Sequence, residues 1–188
     1  NKYTIASCSS EAILSGKVPM SKYSVVDLIN GLERYDGYTP EFYKAFTATM
    51  MTKLKAYTQS GGSLFVSGSY TGKDMQSEAE KTFLANILKV KYEPLDSLQP
   101  TDSLKGLGLQ FTYFNTLNDK HYAATHPETL QPTAEAICGI QYMNGASAGV
   151  GYQGNDYRSF TLGIPFECIK EEEIRCQLMT GILNFLLK

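Results

Sequence analysis

Strand-like and helix-like segments alternate twice in the first half of this chain, and that order leaves few folds open. Residues 23–29 read Tyr-Ser-Val-Val-Asp-Leu-Ile and run into Asn30-Gly31, the pattern of a buried strand entering a turn. After a polar loop over residues 31–39, Thr39 and Pro40 have the form of an N-cap followed by proline at the first helical position. Tyr43, Phe46, Met50, Leu54 and Tyr57 then recur at spacings of three and four, one stripe of an amphipathic helix. Ser60-Gly61-Gly62 ends it, because glycine takes the left-handed cap without steric cost. A second apolar run, residues 63–67, follows at once and leads into Gly68-Ser69-Tyr70-Thr71-Gly72. Ser77 and Glu80 have capping-box spacing, and Phe83, Leu84, Ile87 and Leu88 form the next stripe. Short connections between such elements imply parallel strands with right-handed crossovers. The expectation is an α/β domain: a three-layer sandwich on a mostly parallel sheet.

The rest of the chain is less regular. Residues 91–142 are proline-bearing and lack a helical stripe, with partial alternation over residues 109–114. Residues 148–152 and 159–162 read as two strands, with Gly154 and Asn155 suited to the hairpin between them. This region is expected to be an antiparallel insertion of strands and loops on the sheet. Three glutamates at 171–173 suit a helix N-terminus, and Ile174, Leu178, Ile182 and Phe185 continue as its apolar stripe. Residues 1–20 read as an irregular lead-in with a short strand near 3–6. The 188 residues show no internal repeat or linker, so one domain is expected. Asn1 is not an initiator residue, which points to a mature form or a piece of a larger secreted or periplasmic protein.

A formal charge of −2 with no basic stripe argues against a nucleic-acid partner. No apolar run approaches the roughly 18 residues that cross a bilayer. The four cysteines, Cys8, Cys138, Cys168 and Cys176, match no zinc spacing. Their even number permits two disulfides in an oxidising compartment; four buried free thiols is the other reading.

Ligands of open parallel sheets bind at the carboxyl ends of the strands. The loops there are residues 30–36 and 68–72. The second has glycines at both ends, like a nucleophile elbow, but its centre is Tyr70, and a phenol with a pKa of about 10 is a poor nucleophile at neutral pH. Ser69 is off centre. Neither phosphate-loop nor dinucleotide-binding glycines are present, and Lys73 after Gly72 is weak evidence alone. No cofactor is expected. His126-Pro127-Glu128 resembles a catalytic string, yet its proline and polar neighbours mark a surface loop. Tyr157 and Arg158 form a polar cluster in the expected hairpin, suited to a sugar acid or to a solvated tip.

Several strings resemble a known family: YSVVDLINGL at 23–32, GGSLFVSGSYTG at 61–72, His126-Pro127-Glu128, SAGVGY at 147–152 and DYRSFTLGIPFECI at 156–169. They look like the domain of Bacteroides-type proteins labelled xanthan lyase, often found beside golvesin-like modules. The resemblance covers nearly the whole chain and implies a fold similar to the class I glutamine amidotransferase-like branch of flavodoxin-like architectures. That comparison requires a cysteine where Tyr70 stands and a His-x-Glu pair after the last strand. Glu167 matches the acid, and Pro165 occupies the histidine position. Established xanthan lyases have a helical toroid, which nothing in this chain suggests.

The resulting expectation is a non-catalytic accessory domain that binds polysaccharide, or a neighbouring domain of its parent chain, through Glu33, Arg34, Ser69, Tyr70, Tyr157, Arg158 and Glu167. A polysaccharide lyase acting by β-elimination, with Tyr157 or Tyr70 as base and Arg158 neutralising a carboxylate, is the second expectation. A structural or oligomerisation domain is the third.

Overall fold

The computed structural model describes residues 3–35, 37–38, 43–92 and 99–187. A short helix α1 (Ser10–Leu14) precedes β1 (Val25–Gly31), α2 (Ala48–Gln59) and β2 (Ser63–Gly68). Helix α3 (Glu78–Phe83) continues into a π-helical turn, Leu84–Leu88. Seven further strands follow: β3 (Val90–Tyr92), β4 (Ser103–Gly106), β5 (Leu109–Thr112), β6 (Leu130–Pro132), β7 (Ile137–Tyr142), β8 (Ser147–Gln153) and β9 (Arg158–Leu162). Helix α4 (Glu172–Leu186) closes the chain.

The principal sheet has the order β1-β2-β9-β8-β7-β4-β5, and β3 pairs separately with β6. Among the described residues, two pairings of the large sheet are parallel, β1 with β2 and β2 with β9. The other four are antiparallel. The expected three-layer, class I glutamine amidotransferase-like sandwich on a mostly parallel sheet is therefore overturned: the sheet is mixed and mainly antiparallel. The reason lies after α3. Its chain does not return to the sheet as another parallel strand but enters the small β3–β6 sheet. Tight reversals then build the antiparallel half. At one of them Leu107 (φ 51°) and Gly108 (φ 80°) are both left-handed, the two-residue hairpin geometry that matches strand twist.

The sequence expectations meet the structure unevenly. β1 is an edge strand, not a buried one, and Ile29 is 65% exposed. Residues 3–6 form no strand. The N-cap expected at Thr39 and Pro40 lies outside the described residues; α2 is capped by Thr47, whose hydroxyl accepts the Met50 N–H. Phe46 precedes the helix but is fully buried. The Ser77–Glu80 capping box is formed, both of its hydrogen bonds present. All four cysteines are free thiols; Cys168 is buried, whereas Cys8 and Cys176 are exposed.

Strand β2 is buried along its whole length and divides the core. Leu64 and Val66 join Met50 and Leu54 of α2 and Leu84 and Leu88 of the π turn in one cluster. Phe65 joins Phe160, Leu162 and the α4 residues Leu178, Ile182 and Leu186 in the other. Alternation along one strand thus binds both helical groups to the sheet. Strands β1, β2 and β9 run in the same direction, so their carboxyl ends, at Gly31, Gly68 and Leu162, form one crest.

Candidate functional site at the strand crest

The crest begins where β1 and β2 end. The Ser69 N–H donates to the Gly31 carbonyl (2.8 Å), and the Thr71 hydroxyl donates to the Gly68 carbonyl (3.2 Å). Between them Tyr70 takes φ 62°, a left-handed conformation that is strained for a bulky side chain. Its ring is 4% exposed. The His126 ring lies over it at 4.9 Å, the Arg34 guanidinium carbon at 5.1 Å and the Lys73 ammonium at 5.9 Å. Burial raises the Tyr70 phenol although Arg34 pulls the other way. Burial also lowers the His126 imidazolium, helped by the charges of Lys73 and Arg34.

Glu128 holds this arrangement from behind. Its carboxylate accepts the Gly72 N–H and the Lys73 N–H, each at 2.8 Å, from 56 and 55 residues away in sequence. Its own N–H donates to the Gly163 carbonyl, and its carbonyl accepts the Tyr142 hydroxyl. Glu128 is 4% exposed, and burial pushes its carboxyl up to about 7 against the pull of the two backbone donors. Gly72 also lets Tyr92 pack against this turn: a Cβ there would sit 2.6 Å from the Tyr92 side chain. The surface-loop expectation for 126–128 is thus corrected at Glu128, which is a buried anchor, while His126 remains exposed.

A second group lies on the same crest. The Tyr122 hydroxyl donates to the Glu167 carboxylate. Desolvation raises Glu167, and on β1 it takes Asp27 up to about 7, with the Glu167 charge as the second cause. The Tyr35 N–H donates to Asp74 (3.2 Å), tying the loop after β1 to the loop after β2. Tyr35 and Tyr122 are 39% and 38% exposed, so two tyrosines with polar tips edge the crest.

The seven residues singled out in the sequence divide between two ends of the sheet. Glu33, Arg34, Ser69, Tyr70 and Glu167 are at the crest. Ser69 and Tyr70 are buried rather than exposed, and the Ser69 hydroxyl has no partner among the described residues. Tyr157 and Arg158 stand at the opposite end, at the start of β9. Tyr157 is buried and its hydroxyl donates toward the Asn86 and Ile87 carbonyls, both 2.9 Å away. Arg158 donates to the carbonyls of Phe185 (2.8 Å) and Leu187 (3.3 Å), capping α4. His126, Glu128, Lys73, Asp74, Tyr122, Tyr35 and Asp27 complete the crest; of these only the 126–128 string and Lys73 carry any motif signal in the sequence, and both signals are weak.

At the crest the His126 Nδ1 lies 3.0 Å from the Thr125 hydroxyl. The phenol of Tyr70 has an aromatic contact with His126, and Pro165, where the amidotransferase pattern requires histidine, leads into a 3-10 turn (Phe166–Cys168). Among the described residues no three His, Cys, Asp or Glu side chains converge as a metal site, and no helix is long and apolar enough to cross a membrane. A surface hollow of about 370 Å³ lies away from the crest, against Lys22, Tyr23, Gly61, Gly62 and Leu187. Its one strongly shifted group, the Tyr57 phenol, already donates to the Tyr23 carbonyl. The crest, with its clustered charges and perturbed carboxyls, is the stronger candidate.

No family model matches this chain, and no curated protein does. Solved structures do. A β-galactosidase from the Antarctic haloarchaeon Halorubrum lacusprofundi superposes with TM-score 0.56 at 16% identity, covering 90% of this chain and 23% of that one. A cytoplasmic protein from Salmonella typhimurium gives 0.55 at 13% identity, with coverages of 89% and 73%. An exo-β-1,4-mannosidase from Opitutaceae bacterium strain TAV5 gives 0.53 at 9% identity, with coverages of 89% and 25%. What they share is a fold. The chain spans about a quarter of each of the two glycosidases, and such identities say nothing about activity.

Proposed function

We propose that this is a non-catalytic accessory domain of a secreted polysaccharide-handling protein, of the kind labelled xanthan lyase, and that it binds glycan at the strand crest. The observation that carries this reading is the make-up of the crest: two half-exposed tyrosines, Tyr35 and Tyr122, beside exposed Arg34, Lys73 and His126, with the buried Glu128 holding the backbone at Gly72 and Lys73. Aromatic faces with polar tips suit the apolar and hydroxyl surfaces of sugars together. The occurrence of the same fold as a quarter of a β-galactosidase and of a mannosidase is consistent with a module working beside a catalytic centre.

The β-elimination alternative requires an accessible base next to a cation. Tyr157 cannot fill that role: burial raises its phenol strongly, and its proton is directed at backbone carbonyls. Arg158 is spent on the end of α4. Affinity electrophoresis through xanthan gels tests the proposal. Retardation of the wild-type domain is expected, with Tyr35→Ala and Tyr122→Ala each weakening binding about tenfold, the size of one or two lost stacking or hydrogen-bonding contacts. The ultraviolet trace of unsaturated product is expected to stay flat beside an active lyase. Free migration of the wild-type domain, or a rising trace, would sink the reading.

A further inference from the structure

Three basic side chains on this crest surround one ring without a negative partner in contact. We propose that Arg34, Lys73 and His126 form a binding site for the carboxylate of an acidic sugar, so that the crest selects uronate-containing glycans over neutral ones; this rests on the glycan-binding reading above.

The first support is the absence of neutralisation. Lys44, Lys81 and Lys89 are each paired with a carboxylate, Glu80, Glu78 and Glu135 respectively. Arg34 and Lys73 have no ion pair among the described residues and are held instead over the faces of Tyr70. Their cationic ends are gathered by one buried residue, which keeps two like charges near each other. Such a pair is relieved by an anion, and a carboxylate matches the planar fork of arginine.

The second support is the direction of the local field. The acids nearest these cations already hold backbone donors: Glu128 accepts two N–H groups and feels the charge of Lys73, and Asp74 accepts the Tyr35 N–H and feels Lys44 and Arg34, with no contact ion pair to Arg34 or Lys73 among the described residues. Glu33 is raised by burial, then by Glu11 and Asp74, and so faces other acids. At His126 the charges that register are Lys73 and Arg34, both disfavouring a proton. The charges that register at the imidazole are thus positive, whereas Tyr70 also feels Glu128 and Asp74. With Glu128 and Asp74 among the charges felt at Tyr70, a monoanion meets less repulsion there than a dianion such as phosphate.

The chain contains two histidines, so proton NMR of the imidazoles reads the site directly. The domain is titrated with a glucuronic-acid oligosaccharide, a neutral cello-oligosaccharide of equal length, and inorganic phosphate. The bound uronate is expected to raise the His126 pKa by about one unit, as a charge within contact distance does. The other ring, His121, is stacked on Phe114 at 3.5 Å and bonded to Asn118, so its resonance is assigned separately. Arg34→Ala and Lys73→Ala are each expected to weaken the acidic oligosaccharide about tenfold and the neutral one by a clearly smaller factor, one charge-assisted contact being lost. Both side chains are exposed, so neither variant removes core packing. Equal affinity for acidic and neutral oligosaccharides, or an unmoved His126, overturns the carboxylate site alone. Phosphate competing as well as the uronate shows a generic anion site and overturns the sugar-acid assignment. Binding of neither oligosaccharide overturns the glycan-binding reading, and this inference with it.

Discussion

Between pH 4.5 and 7.5 the unfolding free energy of this domain is expected to fall by about 3 kcal/mol, and Glu128→Gln is expected to remove most of that slope. The cause is a buried carboxyl raised from 4.5 to about 7 by desolvation. Within that interval the folded chain holds a proton that the unfolded chain has released. The stabilisation is therefore complete below the unfolded value and is lost as pH rises through the folded one. Asp27, raised from 3.8 to about 7, works in the same direction, but it keeps solvent contact on an edge strand and its share is screened. Glu80 opposes them. Burial pushes it up, yet hydrogen bonds from Lys44 and Ser77 bring its carboxyl below the usual value. Urea denaturation across the interval measures the slope. Stability that rises with pH would contradict a desolvated Glu128.

Phe65→Ala is expected to cost about 3–5 kcal/mol, the range for emptying a buried aromatic site. Phe65 is 1% exposed, with Phe160 edge-on at 6.3 Å and Phe166 at 5.6 Å. It is the β2 residue in the cluster containing α4, while its neighbours Leu64 and Val66 face the cluster of α2. Phe166 opens the 3-10 turn that carries Glu167, so this cavity would also loosen one side of the crest. Phe65→Leu refills much of the space and is expected to cost less than half as much. The urea midpoints of the two variants make the comparison. A loss under about 1 kcal/mol for alanine would mean that β2 does not join the two clusters.

The parts of this fold that were legible in the sequence are those with long, uninterrupted periodicity. The Met50, Leu54 and Tyr57 part of the α2 stripe, the run 63–67 and the Ser77–Glu80 box each report their local structure, whereas Tyr43 and Phe46 of the same stripe precede the helix. The direction of the remaining strands was not legible. β3, β4 and β6 have three or four residues each, too few for alternation to reveal a partner, and the fate of the chain after α3 depends on a pairing between Val90 and Pro132. The elbow 68–72 is visible from its glycines, with a tyrosine at its centre. The anchor of that elbow was hidden. Glu128 reaches it across 55 and 56 residues, and a glutamate after a proline in a polar stretch looks like any solvated loop. Tyr157 and Arg158 misled for the converse reason: their polar atoms serve backbone carbonyls inside the fold, and residue type alone cannot distinguish that duty from binding.

The central claim concerns place, so it is tested most directly by mapping amide shifts of the ¹⁵N-labelled domain as uronate-containing oligosaccharide is added. Shifts concentrated in residues 31–35, 69–74 and 122–128, with little change at 154–158, are the predicted result. Shifts concentrated at 154–158 or around Lys22, Gly61 and Leu187, or none at saturating oligosaccharide, would contradict a glycan site on the crest.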